Sequence, residues 1–339
     1  MSEITGRKDI LFLFDAENCN PNGDILNGNA PRMDDETGKG ETSDVRIKRY
    51  IRDQHIREGQ TDEIFIREYS LSDNEVVTLK DNAKLRGFDA GKIESGNVAT
   101  IAQAAALNSI NPQLSPSEVA GQAQQFFDLR LFGSVLPLVV GDSAKKQAAK
   151  KEGARTMSIN FTGPVQFQMG QTLHRISTEF IKGTGAGASE EGKDAKTFRE
   201  ETFLKYGFYA VNGAIDRYNA KKTGMSEEDA QAMYRLLWQG LKQSASRSKF
   251  GQMPQLLLVV SYKGDDFIGR LHHKVELKSD LADEKIRSMN DYTLDVSRLS
   301  EALKKSAPKI EKIEFVISDE LRAKLGEALP LQEWMELKA

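Results

Sequence analysis

The first strong signal along the chain is Ile10-Leu11-Phe12-Leu13-Phe14, a continuous apolar run closed by polar residues. A run this short predicts a strand buried on both faces. Residues 18–42 then lose apolar periodicity. Asn20-Pro21-Asn22-Gly23 and Thr37-Gly38 within them are turn formers, because Asn and Gly tolerate left-handed backbone and Pro fixes its own φ. Ser43 is a predicted helix N-cap, with Asp44 in the first turn where the helix dipole favours a negative charge. At about 100° per residue, Ile47, Tyr50, Ile51 and Gln54 share one arc of that helix, and Lys48, Arg49 and Arg52 share the opposite one. One face therefore docks on a sheet while the other offers cations.

Ile64-Phe65-Ile66-Arg67-Glu68-Tyr69 reads as a second strand. Residues 72–125, rich in Ala, Gln, Asn and Ser with Pro112 and Pro116 as breaks, read as a helical insertion that closes with a helix leading into Phe126–Gly133. Lys145 to Lys151 is a polar connection, and Met157 to Phe167 alternates as a strand. Residues 182–197 have no apolar face to bury and predict a mobile loop or hairpin tip. Phe203 to Ile215 is a further strand. Ser226 caps a helix to about Leu241, with Met233, Leu236, Leu237 and Leu241 at helical spacing. A basic turn, Ser246-Arg247-Ser248-Lys249-Phe250-Gly251, leads into the buried strand Leu256–Val260. The frame is β-α-β, an insertion, then β-α-β. That is an α+β, split-βαβ, ferredoxin-like pattern, with an antiparallel sheet and both helices on one face. Residues 265–339, charged and mixed, are expected as peripheral structure.

The chain has 339 residues and a formal net charge of −3. An anion-binding surface must then be a local groove rather than a global property. Cys19 is the only cysteine, which excludes an internal disulfide and a cysteine-rich zinc site and fits a reducing cytosol. The N-terminus runs into a strand with no signal-peptide pattern, and no apolar stretch is long enough to span a bilayer. The expectation is a cytoplasmic protein with no membrane partner.

Candidate chemistry concentrates in residues 20–52. Turns expose backbone N–H groups there, beside a helix N-terminus and the cations Lys48, Arg49 and Arg52. Such groups satisfy the phosphates of a nucleic-acid strand, although a solvated helix face has the same charge pattern. Arg247 and Lys249 form a second basic element ahead of a central strand. Gly187 to Lys193 matches a G-x-x-x-x-G-K skeleton, but Asp194 stands where a magnesium-binding Ser or Thr is required, so nucleotide hydrolysis is rejected. Asp15, Asp24, Asp34 and Asp35 offer carboxylates for a divalent metal, or serve as caps and turn residues. His55, His174, His272 and His273 have no zinc-binding spacing.

Several blocks together resemble a known family. They are Asn20-Pro21-Asn22-Gly23-Asp24, Pro31-Arg32-Met33-Asp34, Glu36-Thr37-Gly38, Ser43-Asp44-Val45-Arg46-Ile47-Lys48-Arg49 and Asp128-Leu129-Arg130-Leu131-Phe132-Gly133. Thr162-Gly163-Pro164-Val165-Gln166-Phe167 and Arg247-Ser248-Lys249-Phe250-Gly251-Gln252-Met253-Pro254 complete the set. In order and combination they resemble the crRNA-binding backbone subunits of type I CRISPR Cascade complexes in the RAMP superfamily, above all those of subtype I-B.

The resemblance implies a non-catalytic subunit without cofactor or metal. Its RRM-like palm would comprise residues 1–71 and 134–264, with a helical finger insertion at 72–133 and a thumb hairpin at about 170–202. Copies would stack along the crRNA, each palm gripping the sugar-phosphate backbone, and present the guide to a target DNA strand among the other Cascade subunits. The RNA-binding residues implied are Asn20, Asn22, Gly23, Arg46, Lys48, Arg49, Arg52, Gln166, Arg247 and Lys249. Related type III subunits cut RNA with an acidic loop residue, which Asp24 or Asp34 would mirror; the type I resemblance points away from cleavage. The alternatives are an RRM-like CRISPR endoribonuclease and a generic single-stranded nucleic-acid-binding protein.

Overall fold

A computed structural model describes residues 2–67, 124–138, 157–186 and 196–338. In chain order these form β1 (Lys8–Cys19), β2 (Gly23–Asp24), β3 (Ala30–Pro31), β4 (Lys39–Thr42), α1 (Asp44–Arg57), α2 (Phe127–Phe132), β5 (Gly133–Leu138) and β6 (Met157–Thr162). There follow β7 (Val165–Phe167), β8 (Gly170–Arg175), β9 (Thr178–Ala186), β10 (Lys196–Ile215), α3 (Arg217–Thr223), α4 (Glu227–Lys242) and β11 (Gln252–Tyr262). The chain ends with β12 (Glu276–Lys278), β13 (Thr293–Asp295), α5 (Ser297–Ser306), β14 (Ile310–Ile317), α6 (Asp319–Leu325) and β15 (Met335–Glu336). Most of the 72–125 insertion, the 145–151 connection and the glycine-rich 187–193 segment lie outside the described residues. Two compact units result: Met1–Ile4, His55–Val165 and Asp216–Ala230 form one, and Thr5–Gln54, Gln166–Ile215 and Gln231–Ala339 the other.

The second unit is built on a mixed sheet in the order β15-β14-β11-β1-β10-β8-β4, with β9 also pairing β10. The predicted apolar run is its centre. β1 lies antiparallel to β10, from Lys8↔Ile215 to Cys19↔Leu204, and to β11 on its other side. Side chains alternate between faces, and Ile10 to Phe14 are all fully buried, so both faces are covered. On one face Phe12, Phe14 and Tyr209 stack at 5.7 and 4.8 Å. Helix α1 lies on this side, with Tyr50 close enough to Tyr209 to perturb its hydroxyl. Helix α4 packs on α1 at Gly240, where a Cβ would stand 2.3 Å from the Tyr50 carbonyl oxygen.

The other face, Leu11, Leu13, Leu256, Leu258 and Val260, is covered by Met289, Tyr292, Leu299, Leu303 and Leu321. The segment 265–339 is therefore not peripheral: it supplies β14 to the sheet and one wall of the core. Its mixed composition hides amphipathic pieces, as in α5, where Leu299 and Leu303 turn inward four residues apart and Lys304 and Lys305 turn outward.

Residues 18–42 are more ordered than their composition predicts. β2 and β3 form a small hairpin, and β4 pairs with β8 at the edge of the sheet.

In the first unit, β5 and β6 pair from Gly133↔Thr162 to Leu138↔Met157. The strand expected at 64–69 does not form over 64–67. The Phe65 and Ile66 N–H groups instead donate to the two carboxylate oxygens of Asp128, at 2.8 and 3.0 Å. A side chain thus takes the role of a neighbouring strand. The predicted Ser226 cap is present: its hydroxyl accepts from the Asp229 N–H at 3.2 Å, and the Asp229 carboxylate accepts from the Ser226 N–H at 3.0 Å.

Candidate nucleic-acid interface

Where β1 ends, two segments far apart in sequence are tied together. The Asn20 N–H donates to the Ser248 carbonyl at 2.7 Å, and Lys249 Nζ donates to the Asn20 carbonyl at 2.5 Å. Asn20 Nδ2 donates to the Asn29 carbonyl at 2.6 Å, anchoring the β2–β3 hairpin to the same point. Gly251 makes the turn possible: its φ is +117°, its carbonyl accepts the Glu17 N–H at 2.9 Å, and a Cβ there would stand 2.3 Å from the Glu17 oxygen.

Asn22 joins this corner to α1. Its Oδ1 accepts from the Ser43 N–H at 3.3 Å and from the Ser43 hydroxyl at 3.0 Å, while its carbonyl accepts the Arg32 N–H at 2.9 Å. Ser43 caps α1 as predicted, accepting the Arg46 N–H at 3.2 Å. The Arg46 guanidinium lies 4.1 Å from the centre of the Tyr50 ring and donates to Ser244 Oγ at 3.4 Å. The Tyr50 hydroxyl donates to Gln252 Oε1 at 2.6 Å, and Gln252 Nε2 donates to the Lys249 carbonyl at 2.9 Å. Loop, helix start and basic turn form one hydrogen-bonded corner.

The corner is electropositive and partly buried. Burial, with the nearby Arg46 charge second, pushes the Lys249 ammonium down to about 8. Arg32, half-exposed, pairs loosely with Asp24 at 3.4 Å. Ile25, Leu26, Phe250 and Met253 project from the same segments as exposed apolar side chains.

The expected site residues divide among four situations. Asn20, Asn22, Gly23, Arg46 and Lys249 converge here, with Asn20 and Asn22 buried as scaffold. Lys48, Arg49 and Arg52 lie further along α1. Lys48 pairs with Asp44 at 3.0 Å and Arg49 with Asp53 at 3.2 Å, both i,i+4 pairs of small energetic weight. Arg247 is exposed and pairs with Glu201 at 3.0 Å. Gln166, though exposed, belongs to the opposite end of the sheet. Its neighbour Phe167 packs near Gly213, which pairs with Ile10, ten residues of β1 or about 30 Å from Asn20.

Arg32, Ser43 and Phe250 also belong to this corner, although the resemblance implies none of them as an RNA-binding residue, and Tyr50, which docks α1 on the sheet, also carries the Arg46 guanidinium.

The other candidates have structural partners. Asp24 accepts the Leu26 N–H at 3.2 Å, and Asp34 accepts the Thr37 hydroxyl at 2.6 Å. Asp15 binds Tyr206 and Gln255 inside the fold. His55 stacks on Phe127 at 4.4 Å. His174 makes two ring contacts, with Nδ1 2.8 Å from the Arg175 carbonyl it donates to and Nε2 accepting the Phe208 N–H at 3.3 Å. Burial lowers its pKa, which fits that neutral tautomer.

Comparison with known proteins identifies the family. A family model described as CRISPR-associated protein Cas7 matches residues 6–297. A CRISPR-associated protein Cas7 of Haloferax volcanii is 32% identical over 333 residues, covering 95% of this chain and 89% of that protein. Among solved structures, a chain of a CRISPR RNA-guided surveillance complex in a pre-nicking state superposes with a TM-score of 0.53 at 13% identity. The match covers 98% of this chain and 96% of that one, a likeness of fold alone. With the family model spanning most of its length and a relative this similar from end to end, the chain belongs to the Cas7 family of CRISPR-associated proteins.

Proposed function

We propose that this Cas7-family chain is the non-catalytic backbone subunit of a Cascade-type complex. It binds crRNA by its sugar-phosphate chain and stacks on further copies of itself beside other Cascade subunits. The guide bases are left to pair with a target DNA strand in the cytoplasm. The observation that carries this reading is the corner itself. Arg32, Arg46 and Lys249 are gathered by a glycine-bearing loop, a capped helix start and a basic turn. Such a surface attracts phosphates and reads no base edge. Sequence reading then falls to base pairing.

The sheet supports the RRM-like palm. β11, β1, β10 and β8 are consecutive antiparallel neighbours, with α1 between β1 and β8 in sequence and α4 between β10 and β11. The hairpin of β9 with the first half of β10, register Thr178↔Leu204 to Ala186↔Lys196, supports a thumb whose exposed Phe180 and Ile181 would wedge between bases. The finger role stays with residues 72–133. An endonuclease reading draws on a histidine or acid near the scissile phosphate, whereas His55, His174, Asp24 and Asp34 have the structural partners described above.

Co-expression with a CRISPR array tests the proposal. Electron microscopy should show protein stacked along uncut RNA. An RNA-free product, or magnesium-dependent cleavage lost on Asp24→Ala, would overturn it.

A further inference from the structure

The corner contains more than positive charge, and its unpartnered atoms specify a ligand more narrowly than the RNA-binding reading on which this inference rests. Asn20 Oδ1, Arg32 Nε and Arg46 Nε are buried side-chain atoms without a hydrogen-bond partner. All three belong to residues tied into one network, through Asn20–Ser248, Asn22–Arg32 and Ser43–Arg46. Buried polar atoms are rarely left unpaired unless a ligand or water completes them.

The chemistry of the three differs. Asn20 is 2% exposed, and its amide orientation is determined because Nδ2 donates to the Asn29 carbonyl at 2.6 Å. A flipped amide would set oxygen against oxygen. Oδ1 is therefore an acceptor in need of a donor, and the two guanidinium nitrogens are donors in need of acceptors. A polynucleotide backbone offers acceptors at every phosphate. Its donor outside the base edges is the ribose 2′-hydroxyl, which DNA lacks.

We infer that Asn20 Oδ1 accepts a hydrogen bond from a guide 2′-hydroxyl while Arg32 and Arg46 hold the adjoining phosphates, so that this corner selects ribose over deoxyribose. The ribose reaches Asn20 when the exposed tip of that hairpin, Ile25 to Gly28, moves aside while Asn29 keeps its bond to Asn20 Nδ2. That tip buries none of Ile25, Leu26 or Asn27, so little packing opposes the movement.

The test is equilibrium binding of the full-length chain to three single strands of one sequence at one salt concentration, carrying ribose, 2′-fluororibose or deoxyribose. The fluoro sugar keeps an RNA-like pucker and cannot donate a hydrogen bond. Ribose should bind about tenfold more tightly per engaged copy than either other sugar. Asn20→Ala should bring all three within about twofold of one another, whatever happens to overall affinity. Equal affinity for ribose and fluororibose in the unmodified chain overturns the inference, as does an undiminished ribose preference in folded Asn20→Ala. The fluoro comparison needs no variant and stands even if the substitution prevents folding. Absence of binding to every strand would remove the RNA-binding reading itself.

Discussion

At the scale of single residues, Asp15 shows how environment overrides residue type. In sequence it is one of several acids near a loop. In the fold its carboxylate accepts from the Tyr206 hydroxyl at 3.3 Å and from Gln255 Nε2 at 3.1 Å, and burial nevertheless pushes it up to about 6. The folded state holds this proton more tightly than the unfolded chain does. The stabilisation it gives is therefore complete below the unfolded value of 3.8 and is lost as pH rises through about 6. The loss is on the order of 3 kcal/mol. Melting temperature should thus fall between pH 5 and 7.5 by more in the unmodified chain than in Asp15→Asn. The variant should melt a few degrees higher at pH 7.5, and parallel melting curves would contradict the assignment. Gly251 is the second case. Gly251→Ala forces a Cβ against the Glu17 carbonyl at a φ that L-residues avoid, costing about 2 kcal/mol or more. Thermal melting and RNA affinity should drop together, since that turn also positions Lys249.

At the scale of elements, α1 is the best-read piece of the chain. Its cap, its acidic first turn and its buried arc of Ile47, Tyr50, Ile51 and Gln54 all stand where periodicity places them. Its cations Lys48 and Arg49 are paired with Asp44 and Asp53, so under the proposed function any contribution they make to RNA binding would be electrostatic and shared. Lys48, Arg49 and Arg52 changed together to alanine should weaken all RNA sequences alike. The slope of log affinity against log salt should shrink by up to about 2, at ~0.7 per phosphate. A loss confined to one sequence would contradict gripping by the backbone. Close approach of α4 to α1 depends on Gly240. Gly240→Ala should destabilise the chain by about 2 kcal/mol through the forced separation of the helices, measured by denaturant unfolding. The misread element is residues 64–67: an apolar run with strand composition stays irregular because Asp128, more than sixty residues away, satisfies its amides.

At the scale of the whole molecule, the segment 265–339 is part of the fold. It covers Leu11, Leu13, Leu256 and Leu258 and pairs β14 with β11. Removing it would expose a continuous apolar sheet face, which no soluble domain sustains. The truncated chain should aggregate or bind a hydrophobic dye with its cooperative melting transition lost. A truncation that melts cooperatively would return the segment to a peripheral role.

What the sequence determined by itself is local: the central strand, the two capped helices, the glycine turns and the family blocks. Each is encoded by torsional preference or by a spacing of a few residues. The tertiary structure decided which charged groups meet. Lys249 turns inward to Asn20, 229 residues away, Arg247 meets Glu201, and Gln166 stands at the far end of the sheet. Such pairings depend on strand order and register, and no local spacing carries that information, because partners are chosen by where the chain returns and not by what stands beside them.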